Sequence, residues 1–403
     1  MSDEKLSRRW FCLKIALIHI GFFYSGGGER TVLNEAIGLQ KRGHEVTVFC
    51  PTLNNSCFPE LIEKVKFKQF CWWMPGGFPY RAASGMIHTA ITPYLCLKYF
   101  KGFDIVIAHS QPSNWLAYNV KKSVGIPYIG YLHQANRFLY PRHIDKITGW
   151  STDTNYEILH WIHKLSMIIS RLDRLSILEA KTIFVNSQWV KAKVDKIYDL
   201  ESELCYPGVN PDKFSQTGGS GNQVMTPYLL STNRHYPQKC LHYVLKIMSL
   251  MQKDYPSLKC YLTGAFTSYT NQLVEYAKKL GISKNIVFTN NLNESDLMKL
   301  YRHAYVYAFT SPEEDLGLGP IEAGAFGVPS IVWDNAGPRE TVIDGKTGYR
   351  VKPFDIYEMT RRHRRLLEDP NLRDEMGLHA SRFVRHKFTW DKHIDILEKA
   401  MAN

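Results

Sequence analysis

Short apolar stretches alternate with helical patterns along the chain, and this alternation constrains the fold more than any other feature. Residues 15–23 form an apolar run, residues 26–28 a glycine turn, and residues 30–42 carry apolar side chains at helical spacing. Gly43 ends that helix, and residues 45–50 form the next apolar run. A strand, a helix and a second strand in this order make a βαβ unit, which predicts a parallel sheet covered by helices.

The same alternation predicts a second unit of this kind. In the first half, further strands are expected at 103–109, 127–133 and 182–187, with a long helical region at 154–180. Turn-forming residues then dominate 206–222 and indicate a boundary. After it, strands are expected at 228–232, 259–263, 285–289, 305–310 and 330–333, and an end helix at 388–402. We therefore predict an α/β protein with two doubly wound domains and a ligand cleft between the carboxyl ends of their strands.

Composition limits the class of protein. The chain has 403 residues, more than one hydrophobic core usually serves, and its 44% hydrophobic content is typical of a globular protein. A net charge of +12 indicates an anionic partner, and nucleic acid, anionic lipid and phosphorylated substrates all fit. The basic residues are spread along the chain and no zinc-finger, KH or RRM signature is present, which argues against nucleic acid.

Cysteine usage and the apolar segments predict a cytoplasmic protein. The eight cysteines include no CxxC pair, so reduced thiols are expected. Residues 7–11 imitate a twin-arginine export signal, but Lys14 and His19 interrupt the apolar run that follows, and no cleavage site is seen. No stretch reaches the ~18 apolar residues of a membrane span. We expect a soluble or surface-associated protein.

The segment 313–329, EEDLGLGPIEAGAFGVP, is the most informative for function. Two carboxylates, Glu314 and Glu322, bracket a Gly-Leu-Gly-Pro turn that opens a helix after an apolar strand. Free backbone N–H groups at such a turn face an anion, and carboxylates accept hydrogen bonds from sugar hydroxyls. The pattern predicts a nucleotide-sugar site. Glu322 could instead be a plain helix N-terminal carboxylate and Glu314 a turn residue, and Glu313 or Asp315 could take the acidic role.

Two cations are expected to face this turn. Arg234 and Lys239 follow the first strand of the second half, where a loop brings them into the cleft. Fixed cations stabilise the charge that develops on a diphosphate leaving group as a glycosidic bond breaks. Each cation taken alone is better explained as a solvated surface charge, and only the accompanying motifs favour a role in the site.

Together these motifs give a resemblance to a known family. Glu314 and Glu322 with seven residues between them, the pair Arg234 and Lys239, the loop GGGER at 26–30 and the segment FTWDKH at 388–393 resemble the retaining glycosyltransferases of family 4 over nearly the whole chain. Within that family, four strings are most similar to the Alg2-like mannosyltransferases of lipid-linked oligosaccharide synthesis: IFVNSQ, CYPGVN, LLSTNRHYPQKCL and AGPRETVIDGKTGYRV.

The resemblance implies a GT-B fold with particular domain roles. Residues 1–208 are expected to form the acceptor-side domain and residues 209–387 the donor domain, with a C-terminal helix at 388–403 that crosses back to the first domain. The implied donor-binding residues are Arg234 and Lys239 at the diphosphate, Glu322 at the ribose, Glu314 at the sugar, Gly317 and Leu318 through their backbone N–H groups, and Leu292 in the loop 290–292 that meets the base.

On the acceptor side, the resemblance places a histidine beside the sugar. His133 ends the predicted strand 127–133, Arg137 follows it, and His109 at the end of 103–109 is the competing candidate. The glycine loop of Gly26, Gly27 and Gly28 would let the backbone approach donor or acceptor closely, although a plain tight turn is the alternative. We assign catalytic roles to Glu314, Arg234, Lys239 and His133.

The sequence shows no Asp-x-Asp triplet after a strand and no metal-ligand spacing, so activity without a metal or other cofactor is expected. The aromatic loop containing Trp72 and Trp73, followed by Arg81, predicts contact with a membrane surface or a lipid-linked acceptor; core packing is the alternative.

The sequence therefore predicts a hexosyltransferase, with mannose from GDP-mannose as the favoured donor and a glycan or glycolipid as the acceptor. A family 4 enzyme using a UDP-sugar is the first alternative. A nucleotide-sugar epimerase or a non-catalytic sugar-binding protein are alternatives of other classes.

Overall fold

A computed structural model describes residues 12–23, 25–70, 97–137, 139–148, 166–209 and 227–402. The aromatic loop with Trp72 and Trp73 lies outside these ranges, as does most of the turn-rich boundary at 206–222 and the first part of the helical region at 154–180.

The first half of the chain forms a parallel sheet. Its seven strands lie in the order β3-β2-β1-β4-β5-β6-β7, and all neighbouring strands run parallel. The strands are β1 (Lys14–His19), β2 (Glu45–Cys50), β3 (Lys66–Gln69), β4 (Ile105–His109), β5 (Tyr128–Leu132), β6 (Ile183–Val185) and β7 (Glu203–Leu204).

The second half repeats this architecture. Its six parallel strands lie in the order β10-β9-β8-β11-β12-β13. They are β8 (Tyr228–Thr232), β9 (Lys259–Thr263), β10 (Ile286–Thr289), β11 (Val306–Phe309), β12 (Ser330–Trp333) and β13 (Gly348–Val351). The strand order reverses between β1 and β4 and again between β8 and β11. In open α/β sheets, ligands bind outside the carboxyl ends of the strands at such points.

Helices connect the strands. In the first half the described helices are α1 (Gly27–Lys41), α2 (Pro59–Ile62), α3 (Ser113–Val124), α4 (His143–Thr148), α5 (Ser166–Leu178) and α6 (Gln188–Tyr198). In the second half they are α7 (His242–Met251), α8 (Ser268–Lys279), α9 (Glu294–His303), α10 (Leu318–Ala325), α11 (Pro338–Thr341), α12 (Ile356–Glu368), α13 (Pro370–Lys387) and α14 (Trp390–Ala402).

The last helix packs on the first domain and not on the second, from which it emerges. Ile394, Leu397 and Ala400 of α14 belong to the same apolar core as Ile15 and Leu33. The prediction of two Rossmann-like domains with a C-terminal helix that returns to the first is confirmed. The proposed boundaries at 208 and 387 stay a prediction.

Three strands were not anticipated from the sequence: β3, β7 and β13. Each is two to four residues long and lies at the edge of its sheet, where one side of the strand makes no ladder contact. The sequence KFKQ of β3 is mostly polar, as edge strands often are. Such strands carry almost no periodic signal.

The structure also bears on the cysteines and the membrane. In the described part of the chain every cysteine is a free thiol; Cys50 and Cys260 are buried in strands, and Cys205 is buried directly after β7. Across the same ranges, no helix combines the length and apolar character needed to cross a bilayer.

Candidate active site

The acidic turn after β11 contacts both domains through three consecutive carboxylates with different partners. The Glu313 carboxylate accepts a hydrogen bond from the backbone N–H of Ile144 at 3.2 Å. Glu314 pairs with Lys239, and Asp315 lies 3.8 Å from the guanidinium of Arg142. Of the three acids, Glu314 is therefore the one that meets a cation predicted for the site.

The pair of Glu314 and Lys239 lies half-buried at the carboxyl ends of β8 and β11. The Lys239 ammonium donates to Glu314, whose same oxygen accepts from the Ser311 hydroxyl at 2.6 Å. The two side chains are only 14% and 18% exposed. Burial by itself would raise the pKa of Glu314, but the charges of Lys239 and Arg142 lower it to about 2. Glu314 is therefore ionised, and the pair holds a fixed cation beside a fixed anion.

Lys239 has further cations around it. It ends a short 3₁₀ turn, Pro237–Lys239, that follows β8, and Arg234 lies on the same connection with its guanidinium 5.4 Å from the centre of the Tyr236 ring. Burial lowers the pKa of Lys239, and the nearby charges of Arg234 and Arg142 lower it further, against the opposing effect of Glu314. The structure thus brings Arg234 and Lys239 together in one positive region.

Arg142 and Asp145 belong to this region, although no sequence motif predicted them. Asp145 binds Arg142 through two hydrogen bonds of 3.1 Å and also pairs with Arg137. Arg142 crosses between the domains and donates to the carbonyl oxygen of Glu313 at 3.0 Å. Arg137, predicted on the acceptor side, therefore contacts Asp145, and Asp145 in turn binds the Arg142 side chain that reaches the acidic turn. The sequence signal for this pair is weak: an Arg and an Asp three residues apart, in the connection that follows the predicted strand 127–133.

The predicted glycine turn at 26–28 is a helix start instead: only Gly26 precedes α1, and Gly27 and Gly28 belong to its first turn, which begins three residues earlier than predicted. This glycine segment of the first domain meets the opening of α10. Gly317 precedes that helix with a φ of 88°, a conformation that side chains rarely adopt. Leu318 reaches across the cleft, so that a Cβ atom placed on Gly27 would lie 2.7 Å from its Cδ1 atom. Gly26 precedes α1, and its carbonyl accepts the N–H of Arg30 at 3.0 Å. The two predicted backbone segments are thus in direct contact.

Glu322 lies on α10 and is bound on both oxygens. Arg30 of the first domain pairs with one oxygen, and the buried Tyr301 hydroxyl donates to the other at 2.6 Å. Burial by itself would lower the pKa of Arg30, but the charge of Glu322, together with smaller effects of Glu294 and Tyr301, raises it. Arg30 is part of the GGGER segment, but no local sequence pattern predicts that it pairs with Glu322.

A small cavity adjoins Glu322 between the two domains. Its lining residues come from α1, α9, α10, the chain around Gly208 and the start of α14, and they include Arg30, Glu294, Leu297, Tyr301 and Trp390. Leu292 lies half-buried in the loop two residues before α9. The predicted base-contacting loop therefore leads into the helix that lines this cavity.

His133 and His109 form one pair, so the sequence alternatives are neighbours. Their rings stack with centroids 5.5 Å apart, and His109 Nδ1 lies 3.3 Å from His133 Nε2. A Cβ atom on Gly28 would lie 3.9 Å from the His133 ring. Burial lowers the pKa of His133 to about 3, so its ring is neutral. His109 is fully buried, and His133 is the partner nearer the glycine loop.

The arrangement favours binding of an anion beside a polyhydroxylated group. Within the described ranges, no group of three or more His, Cys, Asp or Glu residues could hold a metal ion. Three cations (Lys239, Arg234 and Arg142) surround the acidic turn, and the N-terminus of α10 opens next to it. Cations and helix N-termini stabilise phosphate oxygens, and carboxylates accept from hydroxyls.

Known protein families match both halves of the chain. The family described as Glycosyltransferase Family 4 matches residues 25–213, and the family described as Glycosyl transferases group 1 matches residues 212–383. The two matches meet where the first sheet ends and the second begins.

Among curated relatives, the chain is 23% identical to the mouse alpha-1,3/1,6-mannosyltransferase ALG2 over 92% of each chain. It is 22% identical to the human ALG2 over 90% of each. It is also 26% identical to a GDP-mannose-dependent alpha-(1-6)-phosphatidylinositol monomannoside mannosyltransferase of Mycolicibacterium smegmatis, over 46% of this chain and 52% of that protein.

Solved structures share the fold. HepE of Anabaena, crystallised with UDP and glucose, superimposes with a TM-score of 0.74 at 16% identity and covers 97% of this chain and all of its own. The sucrose-phosphate synthase of Thermosynechococcus elongatus gives a TM-score of 0.77 at 18% identity over 96% and 98% of the two chains. With two family matches from residue 25 to residue 383 and a fold shared with GT-B enzymes, the chain belongs to the family 4 glycosyltransferases.

Proposed function

We propose that this glycosyltransferase moves a hexose, with mannose from GDP-mannose favoured, to a hydroxyl of a glycan or lipid-linked glycan, and that the anomeric configuration is retained. The half-buried pair of Lys239 and Glu314, set among Arg234 and Arg142, is the observation that carries the proposal. These side chains together supply cations for a diphosphate and a carboxylate for a sugar around one acidic turn.

In the proposed complex, Arg234 and Lys239 bind the donor diphosphate, and the backbone N–H groups at Gly317 and Leu318 face the phosphate or sugar. Glu314 accepts from a sugar hydroxyl. Because the cations are already fixed, little reorganisation is needed as negative charge develops on the leaving group. The bond from the anomeric carbon to the diphosphate breaks while the acceptor oxygen bonds to the same face, and the acceptor proton passes to the leaving phosphate oxygen.

Glu322 is proposed to bind the ribose hydroxyls, and the loop with Leu292 the base. Arg30 holds one oxygen of Glu322 in this structure. Each carboxylate oxygen can accept a further hydrogen bond, so the ribose hydroxyls bind Glu322 beside Arg30 and Tyr301 in the proposed complex. His133 is proposed to face the transferred sugar, with Gly26 to Gly28 close to donor or acceptor.

GDP-mannose is favoured because the three curated relatives described above are mannosyltransferases, one of them GDP-mannose-dependent by name. A UDP-sugar is the second candidate, since HepE was crystallised with UDP and glucose. A thermal-shift panel of GDP-mannose, GDP-glucose, UDP-glucose and UDP-N-acetylglucosamine separates them. A donor at ~100 times its dissociation constant stabilises the fold by about 2.7 kcal/mol. Stabilisation by UDP-sugars and not by GDP-mannose would contradict the favoured donor.

The catalytic assignment is tested with Lys239→Ala. At saturating GDP-mannose and with an alkyl mannoside as acceptor, we expect turnover to fall on the order of 10²- to 10³-fold, because one charge-stabilising donor is lost. Lys253→Ala, on an exposed position of the same domain, is the matched control and keeps full turnover. Wild-type turnover in Lys239→Ala would overturn the assignment. The anomeric configuration of the product, read by NMR, tests retention.

A lipid-linked acceptor and peripheral contact of residues 71–81 with the cytoplasmic face of a membrane stay predictions. Flotation with liposomes that contain anionic lipid, for the wild type and for Trp72→Ala/Trp73→Ala, tests the membrane contact. Equal flotation of both proteins would contradict it.

A further inference from the structure

Three hydroxyl groups inside the second domain form a network that ends on Glu322. The Tyr301 hydroxyl donates to Glu322 Oε2 at 2.6 Å. The Thr232 Oγ1 atom lies 2.6 Å from the Tyr301 oxygen and 2.8 Å from the Tyr307 oxygen. Arg30, the other partner of Glu322, comes from the first domain. The hydroxyl network of Thr232, Tyr301 and Tyr307 therefore holds Glu322 by contacts within its own domain.

Burial keeps the two phenols of this network protonated. Tyr301 and Tyr307 are at most 2% exposed. Their burial raises the pKa of Tyr307 above its usual range and the pKa of Tyr301 well above it. The negative charge of Glu322 raises the pKa of Tyr301 further. At neutral pH the Tyr301 hydroxyl therefore keeps the proton that it donates to Glu322.

The ring of Tyr301 is held by stacking, separately from its hydroxyl. It lies parallel to the Phe326 ring, with the ring centres 5.7 Å apart, and it stacks on the Tyr307 ring at 5.9 Å. These contacts are made by the rings and not by the hydroxyl groups. Exchanging Tyr301 for phenylalanine therefore keeps this packing and removes the hydrogen bonds to Glu322 and Thr232.

The network also contacts the two backbone segments that face the diphosphate in the proposed complex. Thr232 is the last residue of β8 and lies two residues before Arg234. The Tyr307 hydroxyl lies under the first turn of α10, where a Cβ atom on Gly319 would be only 2.0 Å from it. The network thus joins the carboxylate proposed for the ribose to the segments proposed for the diphosphate.

We propose that Tyr301 is a positioning residue for the donor ribose, with Thr232 supporting it. The last side-chain torsion of a glutamate has broad energy wells, so a carboxylate without a fixed partner samples many orientations. The Tyr301 hydrogen bond fixes the Glu322 carboxylate before the donor binds, and the remaining lone pairs then accept from the ribose hydroxyls. The proposal rests on the proposed role of Glu322 at the ribose. Because the ribose does not react, Tyr301 contributes to donor affinity and not to bond breaking.

The experiment measures, by isothermal titration calorimetry, how tightly the full-length protein binds GDP and 2′,3′-dideoxy-GDP, which lacks both ribose hydroxyls. In the wild type we expect GDP to bind on the order of 10- to 100-fold more tightly, because hydrogen bonds to a carboxylate are lost in the dideoxy form. In Tyr301→Phe the Kd of GDP should rise about tenfold, while the Kd of 2′,3′-dideoxy-GDP stays within about twofold. UDP and 2′,3′-dideoxy-UDP are measured in parallel, so the result does not depend on which base the enzyme prefers.

Tyr228→Phe is the matched control. The hydroxyl of the buried Tyr228 donates to the carbonyl oxygen of Leu300 at 2.8 Å. This variant therefore loses a hydroxyl that contacts the same helix, α9, at the residue before Tyr301, and it should bind both forms of the nucleotide like wild type. In steady-state transfer from GDP-mannose, Tyr301→Phe should raise the donor KM about tenfold and keep kcat within about threefold, whereas Tyr228→Phe should change neither.

Equal weakening of the ribose and dideoxyribose forms in Tyr301→Phe would overturn the proposal, because a loosened site binds both less well. Unchanged binding of the preferred nucleotide in that variant, or the same loss in Tyr228→Phe, would also overturn it. If Tyr301→Phe does not fold, Thr232→Val, which removes the hydroxyl next to Tyr301 and keeps the side-chain shape, should show the same selective loss. A wild type that binds the two forms of each base equally, or binds none of them, would instead contradict the proposed ribose role of Glu322, so the two failures are distinguishable.

Discussion

At the scale of single residues, the acidic turn shows how neighbours in sequence take different roles. Glu313 and Glu314 are adjacent and chemically identical, yet Glu313 has a φ of 51° and accepts from a backbone N–H of the first domain, while Glu314 pairs with Lys239. From the sequence, either residue could have been the carboxylate that faces the sugar. The backbone twist at Glu313 sends the two side chains to different partners.

Exchanging each carboxylate for an amide separates their roles. Glu314→Gln should lower turnover on the order of 100-fold, because the amide keeps the shape but loses the charge that pairs with Lys239 and faces the sugar. Glu313→Gln should stay within about threefold of wild type, because an amide oxygen still accepts the Ile144 N–H. Steady-state kinetics with thermal melts as a folding check test both. Equal losses in the two variants would contradict the assignment of Glu314.

At the scale of elements, the start of α10 and the start of α1 meet across the cleft. The sequence predicted that each would be a site of close backbone approach, but it could not predict that they approach each other. Gly27 leaves just enough room for the side chain of Leu318. The distance between the two domains at the donor site thus depends on residue 27 being a glycine, without a side chain.

Gly27→Ala tests this contact. The new methyl group would lie 2.7 Å from Leu318 Cδ1 and would displace either the side chain or the helix. We expect a loss of at most about tenfold in kcat/KM with little change in melting temperature, because Cδ1 is the end of a flexible side chain that can rotate and only part of the displacement reaches the site. Gly27→Ala/Leu318→Ala removes the clashing atoms and should recover most of the activity. If the double variant is no more active than Gly27→Ala, the contact is not the cause.

Element prediction succeeded where the signal is local. The sequence placed β2, β8, β9 and β12 at their observed bounds and put β1, β4, β5 and β11 within a few residues. The side chains on both faces of these strands are mostly apolar, because helices cover both faces of a parallel sheet. The strands β3, β7 and β13 were missed because each is two to four residues long and contains a charged residue, whereas the edge strand β10, with the sequence IVFT, was predicted within one residue.

At the scale of the whole molecule, buried histidines make stability depend on pH. Burial lowers the pKa of His235, His242 and His363 from 6.5 to about 4, and of His133 to about 3. Below pH 6.5 the unfolded chain binds protons that the folded chain does not, so stability is lost as the pH falls from 6.5 towards 4. Glu35 and Glu314, with pKa values of about 2, add a further loss below pH 4.5. The raised pKa of His393 acts in the opposite sense and loses its contribution as the pH rises.

His363 provides the test of this pH dependence. It is fully buried and donates from Nδ1 to the Met359 carbonyl at 2.8 Å, a bond that an asparagine amide can replace. Denaturant unfolding of His363→Asn should show a shallower loss of stability between pH 6.5 and 4, by up to about 1.4 kcal/mol per pH unit. Above pH 7 the two stability curves should run parallel. Identical slopes between pH 6.5 and 4 would contradict a buried neutral His363.

The sequence by itself determined the two doubly wound domains, the end helix, and the order of cations and carboxylates that marks the family. These follow from periodicity and from residues close together in the chain. Only the tertiary structure decided which residues become partners. It places Arg142 at the acidic turn and Arg30 on Glu322, 292 residues away in sequence. It also places His393 beside Glu35, and His109 between Glu35 and His133. Each of these contacts depends on how two domains and a returning helix are oriented. Local sequence patterns do not encode that orientation, because it is set by the packing of distant surfaces.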